Sequence, residues 1–325
     1  MVTQTRTEII DFVTKQHQVT AKLIIDHVGL TAPAVFRHLS RLVSDGILVK
    51  RGTPPKVFYS LAPVMTAHKV VTLEPSVERV INERFLKITP NGVLQTGVQA
   101  FVDWCMSRKL DPAKTSADYI ASIKKFDGYK KDERIDGMSK LQHALPSVFL
   151  DQLYYLDFYA IERFGKTKLG ELILYAKQSQ NKALTKIVAN DVHDRILTVI
   201  KDFHIDAVGF IPPTVKRDVQ FMKELERLLH LSLPTIQITK VRTAISVPQK
   251  TLSKLEERIE NAKQSLVVEE RNMYKNILLI DDAVGSGATI NEVAEQIRTK
   301  KLCTGKVIGL ALTGSFSGFE VIHEA

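Results

Sequence analysis

The sequence predicts a multidomain chain: a small, mainly α domain closed by a β-hairpin, followed by an α/β domain built on a central parallel sheet. Three observations carry that prediction. At 325 residues the chain is about twice a usual domain length. Three short helical stripes and two strand-like runs fill residues 1–62, and in residues 146–325 strand and helix patterns alternate, the order that builds parallel sheets. Composition agrees, with 44% hydrophobic and 25% charged residues and a mean hydropathy of -0.04. Such a chain is globular, which excludes wholesale disorder, collagen and coiled coil. The expected division is 1–62, 63–145 and 146–325.

In the first segment Ile9, Ile10, Phe12 and Val13 share one helical stripe, and Val19-Thr20 offers a cap before Leu23, Ile24, Ile25 and Val28. Gly29 breaks that second helix. Thr31 can cap a third, whose inward stripe is Val35, Leu39 and Leu42 and which Asp45-Gly46 ends. This is helix-turn-helix spacing. Residues 47–50 and 56–61 then read as two strands around Arg51-Gly52-Thr53-Pro54-Pro55, which completes a winged helix. With the apolar stripe inward, the 3.6-residue period turns Pro33, Phe36, Arg37, Ser40 and Arg41 outward, as on a helix that enters a major groove.

Charge points the same way. The chain carries +9 net, with a pI of about 9.3, and residues 1–62 hold eight basic and four acidic side chains in one fifth of the length. Such a balance favours a polyanionic partner. Thr31, Pro33, Phe36, Arg37, Ser40 and Arg41, with Lys50, Arg51 and Lys56 on the wing, are the candidate contacts to double-stranded DNA. The alternative is a winged helix used for protein contacts, with both arginines merely solvated. The run from Leu30 to Leu42, followed by Asp45-Gly46-Ile47, resembles bacterial winged helix-turn-helix repressors.

The middle segment is expected to be a mostly helical connector. Residues 70–73 read as a strand or linker, and a helix of about ten residues follows Ser76. Pro90-Asn91-Gly92 turns a hairpin between 85–89 and 93–95. Val98, Phe101, Val102 and Cys105 line one helix, and Asp111-Pro112 starts another carrying Tyr119, Ile120 and Ile123. The charged stretch 124–140 is mixed in sign and reads as a solvated surface.

In the last segment the pattern predicts a helix over 168–178, two more across 181–202 and a buried strand over 207–211. A second buried strand covers 276–280. Asp281-Asp282-Ala283-Val284-Gly285-Ser286-Gly287-Ala288-Thr289 follows it, then a helix over 290–298 and a strand over 306–312. Gly285 and Gly287 let backbone approach an oxyanion, Ser286 and Thr289 add hydroxyl donors, and the following helix N-terminus offers free amides. Two acids before such a cradle repel a bare phosphate but accept hydrogen bonds from sugar hydroxyls, so a phosphorylated ribose satisfies both. Neither the P-loop nor the dinucleotide fingerprint is present.

Four apolar residues, two acids and a small-residue loop ending in threonine resemble the phosphoribosyl-pyrophosphate motif of type I phosphoribosyltransferases, departing from it where Gly285 and Ser286 replace a hydroxyl pair. The order of Arg242-Thr243, Gln249, Leu252, Arg258 and Asn261, with Ile211-Pro212-Pro213-Thr214-Val215-Lys216-Arg217, is similar to ComF-like phosphoribosyltransferases over residues 150–325. That resemblance implies that Asp281 and Asp282 hold the ribose hydroxyls, residues 285–289 the 5′-phosphate, and Thr214, Lys216 and Arg217 the pyrophosphate with Mg²⁺. Arg242, Gln249, Arg258 and Asn261 would form a hood, either touching the ligand or lying solvated over it. After Arg217 this chain reads Asp218-Val219-Gln220-Phe221 where the family has Arg-Gly-Phe-Asn, so catalysis is left open and no catalytic residue is assigned.

The whole architecture resembles that of purine operon repressors. It implies a dimeric, DNA-binding regulator whose phosphoribosyltransferase-like domain binds phosphoribosyl pyrophosphate or a related nucleotide as effector. An active phosphoribosyltransferase with an accessory DNA-binding domain is the alternative, and a scaffold that has lost both ligands is a third. No run approaches the length of a membrane helix, no apolar leader marks residues 1–8, and two distant cysteines, Cys105 and Cys303, fit a reducing cytoplasm.

Overall fold

The computed structural model describes residues 2–52, 54–62, 71–213, 217–241, 252 and 254–315. The chain divides into two compact units, Met1–Val70 and Val71–Ala325.

In the first unit α1 (Val2–Gln16), β1 (Val19–Thr20), α2 (Ala21–Val28) and α3 (Ala32–Ser44) precede β2 (Leu48–Arg51) and β3 (Phe58–Leu61). Thr20 caps α2 by accepting the Leu23 N–H at 3.4 Å. Gly29 ends it with a left-handed φ of 64° and an N–H bonded to Ile25 O, a conformation that only glycine adopts freely. Ile9, Val13, Val19, Ile24, Val35, Leu39, Leu42, Leu48 and Tyr59 form the core, so the first and third predicted helical stripes face inward, with Ile10 and Phe12 partly buried. In the second, Ile24 is buried, Ile25 and Val28 pack partly buried, and Leu23, expected inward, is exposed. The strand β1 has no counterpart in the sequence reading. It pairs antiparallel with β3, which also pairs with β2, giving a three-stranded sheet.

The second unit begins with α4 (Pro75–Arg84), the hairpin β4 (Leu86–Ile88) and β5 (Leu94–Thr96), α5 (Gly97–Ser107) and α6 (Pro112–Asp127). Residues 71–73 form no strand. Then come β6 (Lys130–Lys131), β7 (Arg134–Asp136), α7 (Met138–Ala144), β8 (Gln152–Phe158), β9 (Ala160–Ile161), a 3-10 turn and β10 (Gly165–Lys166). The remainder is α8 (Lys168–Gln178), α9 (Lys182–Asp202), β11 (Ala207–Phe210), α10 (Phe221–Leu229), β12 (Ile238–Lys240), α11 (Leu255–Ser265), β13 (Leu266–Val268), β14 (Ile277–Val284), α12 (Ala288–Thr299) and β15 (Val307–Gly314).

Six strands form the main sheet in the order β11-β14-β15-β8-β7-β6. The first three pairings are parallel and the last two antiparallel. Ile277, Leu279, Leu153 and Ala311 face the side covered by α12 and the aromatic helices α5 and α6. Leu278, Ile280, Leu310 and Leu312 face α8, α9 and α10.

No division falls near residue 145. Phe101, Trp104, Tyr119, Ile135 and Leu141 lie in the same core as Leu153, Val284 and Ala288, so residues 71–145 are built into the α/β unit. The stretch 124–140 is largely exposed, with Lys124, Lys131, Asp132, Glu133 and Asp136 on the surface, but it is not only a solvated surface, since β6 and β7 extend the sheet and some of its charges are paired. Lys130 bridges Asp127 and Asp157, each at 3.2 Å, and Arg134 reaches Asp202 at 2.7 Å. The two helices expected across 181–202 are one. Thr185, Val188, Ala189, Val192, Ile196 and Val199 make an unbroken buried stripe, and neither glycine nor proline interrupts it.

Candidate functional site

The site grows from the carboxyl end of β14, where ligands of parallel sheets collect. Residues 277–280 are fully buried, and the strand continues four residues past the predicted apolar run, through both acids, to Val284. Gly285, Ser286 and Gly287 then lead into α12. Gly287 has φ 78° and stands at the N-cap of α12 without a capping side chain. A Cβ placed there would lie 2.2 Å from Leu141 Cδ1, whereas a Cβ on Gly285 would meet nothing within 4 Å. One glycine is therefore demanded by backbone and packing, and the other leaves open space. Among the described residues the Ala288 N–H finds only a long 3.4 Å bond to Ser286 Oγ, so the first turn of α12 offers donors to an anion.

The acidic pair is split by the sheet. Successive strand residues point to opposite faces, so Asp281 shares the face of Leu279 and Asp282 that of Ile280. Asp281 Oδ1 accepts the Asp282 N–H at 2.8 Å. Burial, and then the charge of Asp282, push the Asp281 carboxyl well above its ordinary value. Asp282 has a cation of its own: Lys177, in the last turn of α8, places Nζ 2.9 Å from Oδ2, the two side chains being 19% and 13% exposed. On the other flank Thr313 Oγ1 donates to the Asp282 carbonyl at 3.2 Å.

The second predicted loop leaves the sheet beside this one. Phe210 pairs with Ile280, and Ile211 N–H donates to Ile280 O at 2.9 Å. Thr214 and Lys216 lie outside the described residues. Arg217 is half-buried and its carbonyl accepts Gln220 Nε2 at 2.7 Å, while Val219 N–H is taken by Gln180 Oε1 at 2.9 Å, just beyond α8.

Of the hood residues, Arg242 and Gln249 lie outside the described residues. Arg258 is buried and its Nε donates to Leu252 O at 2.9 Å, so it braces the turn before α11. Asn261 accepts the Ser265 hydroxyl through its carbonyl. Between α11, α12 and the stretch after α7 lies a cavity of about 140 Å³ lined by Phe149, Ile259, Lys263, Asn291, Glu292 and Glu295, reaching Ala288 at the cradle. Among the described residues no group of three or more His, Cys, Asp or Glu side chains could hold a metal ion, and no helix is long and apolar enough to cross a membrane. Both cysteines are free thiols.

In the first unit, Thr31, Pro33, Phe36, Arg37, Ser40 and Arg41 are exposed while Val35, Leu39 and Leu42 are buried, so α3 carries its candidate residues on one outward face. Lys50, Arg51 and Lys56 are exposed around the β2–β3 hairpin. Among the described residues neither Arg37 nor Arg41 forms an ion pair.

Sequence reasoning missed Lys177, Gln180, Thr313 and Leu141. Only Lys177 left a signal. It directly follows the apolar run Leu172-Ile173-Leu174-Tyr175-Ala176, and a lysine drawn toward a buried helix face needs an anionic partner.

No protein-family model matches the chain, and no curated protein does. Among solved structures, a hypoxanthine phosphoribosyltransferase from Staphylococcus aureus aligns with 44% of this chain and 71% of its own, at 12% identity and a TM-score of 0.24. An alignment that loose decides neither fold nor activity.

Proposed function

We propose that this chain is a dimeric, cytoplasmic, DNA-binding transcriptional regulator whose α/β unit has a phosphoribosyltransferase-like fold and binds phosphoribosyl pyrophosphate or a related nucleotide as effector. One observation carries the ligand half: the Gly285–Gly287 bend at the end of a buried parallel strand opens onto the uncapped N-terminus of α12, directly after two carboxylates. An anion fits the bend and hydroxyl donors fit the acids. In this reading residues 285–289 hold the 5′-phosphate, while Thr214, Lys216 and Arg217 hold the pyrophosphate. Because the acids face opposite sides of β14, Asp281 and Asp282 serve different parts of a ligand lying across the strand end. Mg²⁺ would enter with the pyrophosphate as its counterion.

The DNA half rests on the exposed basic face of α3 and its hairpin, read as a winged helix. A homodimer would match palindromic half-sites about one helical turn apart. Coupling requires only that the effector bind the two DNA-affinity states unequally.

The test is selection of bound DNA from genomic fragments by the full chain at fixed salt, with and without Mg²⁺ and phosphoribosyl pyrophosphate. A palindromic site whose affinity moves with the metabolite is the expected result. No specific DNA at all would overturn the regulator and favour the transferase reading. That second reading has its own observation, the cavity reaching Ala288, which could seat an acceptor base. Release of pyrophosphate on mixing with nucleobases would establish it.

A further inference from the structure

The reading above gives Lys177 no task, although it is the cation closest to the acidic pair in the described structure. Its ammonium is 2.9 Å from Asp282 Oδ2 with both side chains largely buried. The end of α8 that carries it is tied to the segment after Arg217 through Gln180 and Val219. The end of α8 thus touches both the β14 acid, through Lys177, and the segment after Arg217, through Gln180. A helix C-terminus favours a cation there, yet a partly buried ion pair contributes little net stability compared with an apolar pair of the same size. Its placement over the carboxyl end of the sheet is better explained by exchange. Sugar hydroxyls can replace the ammonium as donors to Asp282, and the ammonium then needs a new anion within reach of its flexible four-carbon stem.

We propose that Lys177 is a ligand-binding residue that neutralises Asp282 in the ligand-free protein and passes to the pyrophosphate oxygens when sugar hydroxyls take its place. This rests on the phosphoribosyl reading. It makes Lys177 a specificity determinant, selecting sugars with an anionic group at the first carbon over sugars phosphorylated only at the fifth. The swap leaves the protein's own charge unchanged: Asp282 exchanges the ammonium for hydroxyl donors, and the ammonium pairs with the negative charge the pyrophosphate brings.

Titration calorimetry of the full chain with Mg²⁺, using phosphoribosyl pyrophosphate and ribose 5-phosphate as probes, tests the idea on wild type, Lys177→Gln and Lys177→Arg. The glutamine retains a donor for Asp282, and Trp104 fluorescence checks that each variant is folded. Lys177→Gln should reduce the preference for the pyrophosphate ligand about tenfold or more, the effect of losing one charge-assisted hydrogen bond, and Lys177→Arg should restore most of it. An unchanged preference, including the case where both ligands weaken equally, would overturn the proposal and leave Lys177 a structural partner of Asp282. If wild type bound neither probe, the phosphoribosyl reading would fall and this inference with it.

Discussion

Replacing Asp281 by asparagine should stabilise the ligand-free protein at neutral pH and weaken its ligand binding. The carboxyl follows four fully buried strand residues, and burial together with Asp282 holds its pKa above the ordinary 3.8. The unfolded chain releases this proton near 3.8, the folded chain only at higher pH. Between those two values the folded state binds the extra proton, so stability falls by about 1.4 kcal/mol for each pH unit. The contribution of Asp281 is therefore complete below 3.8 and is lost as pH rises through the folded value. Asparagine is nearly isosteric, keeps an oxygen for the Asp282 N–H now bonded at 2.8 Å, and never ionises. The advantage of the variant should thus be small in acid, grow by about 1.4 kcal/mol per pH unit above the ordinary carboxylate value, and then level off. Urea unfolding at steps of pH reads it through Trp104, the single tryptophan, which shares a core with Val284 and Ala288. A stability difference independent of pH would refute the reasoning. The double variant Asp281→Asn, Asp282→Asn should lose phosphoribosyl-pyrophosphate binding by calorimetry, and retained affinity would show the sugar lies elsewhere.

Two glycines of one loop should behave differently. Gly287→Ala should cost about 1 to 3 kcal/mol in urea unfolding, because its φ is positive and Leu141 fills the space a Cβ needs. Gly285→Ala should stay within about 0.5 kcal/mol yet weaken ligand binding, since its methyl enters the open side of the cradle. Arg37→Ala should abolish specific DNA binding with no loss of secondary structure by circular dichroism, as the side chain is exposed. Unchanged affinity for the selected operator would remove α3 from the interface, whereas Lys50→Ala should lower the salt slope by about one without changing sequence preference. A fragment of residues 71–325 should melt cooperatively in circular dichroism, and one starting at 146 should not, because it lacks Phe101, Trp104, Ile135 and Leu141 of the shared core. A cooperative melt of the shorter fragment would restore an independent connector.

Elements whose own residues carry the pattern were legible. The stripe Val35, Leu39, Leu42 and its exposed counterparts sit as the helical period requires, and the predicted helix over 168–178 matches α8 to the residue. The cradle was legible as a loop because glycine and helix start are local signals. What escaped depends on neighbours remote in sequence. The strand β8 carries aromatic and apolar residues on both faces, as a strand buried between two helical layers must, and so it lacks the alternation that marks a strand. The strands β6 and β7 read as charged surface because Lys130 and Arg134 find their anions on β8 and α9. The division of Asp281 from Asp282 follows from the two-residue period once the strand is known to run through them. The apolar run alone set its end too early. Nothing local links Leu141 to Gly287 across well over a hundred residues.

The placement of these groups bears on what the site is for. Ligand-free stability alone gives no reason to raise a carboxyl pKa at the end of a buried central strand, to commit a lysine to the next acid, or to leave the following helix without a side-chain cap at Gly287. Each choice costs the empty protein something, and local costs that coincide at one sheet end are the physical signature of a binding site. A ligand that brings an anion to α12 and hydroxyls to the acids relieves all three together. It should therefore stabilise the second unit by RT ln(1 + [L]/Kd), a rise in unfolding midpoint visible at Trp104 whether or not any DNA is present. The same midpoint measured with Asp281→Asn should start higher and respond less, and a variant that started higher yet responded fully would separate the strain from the site.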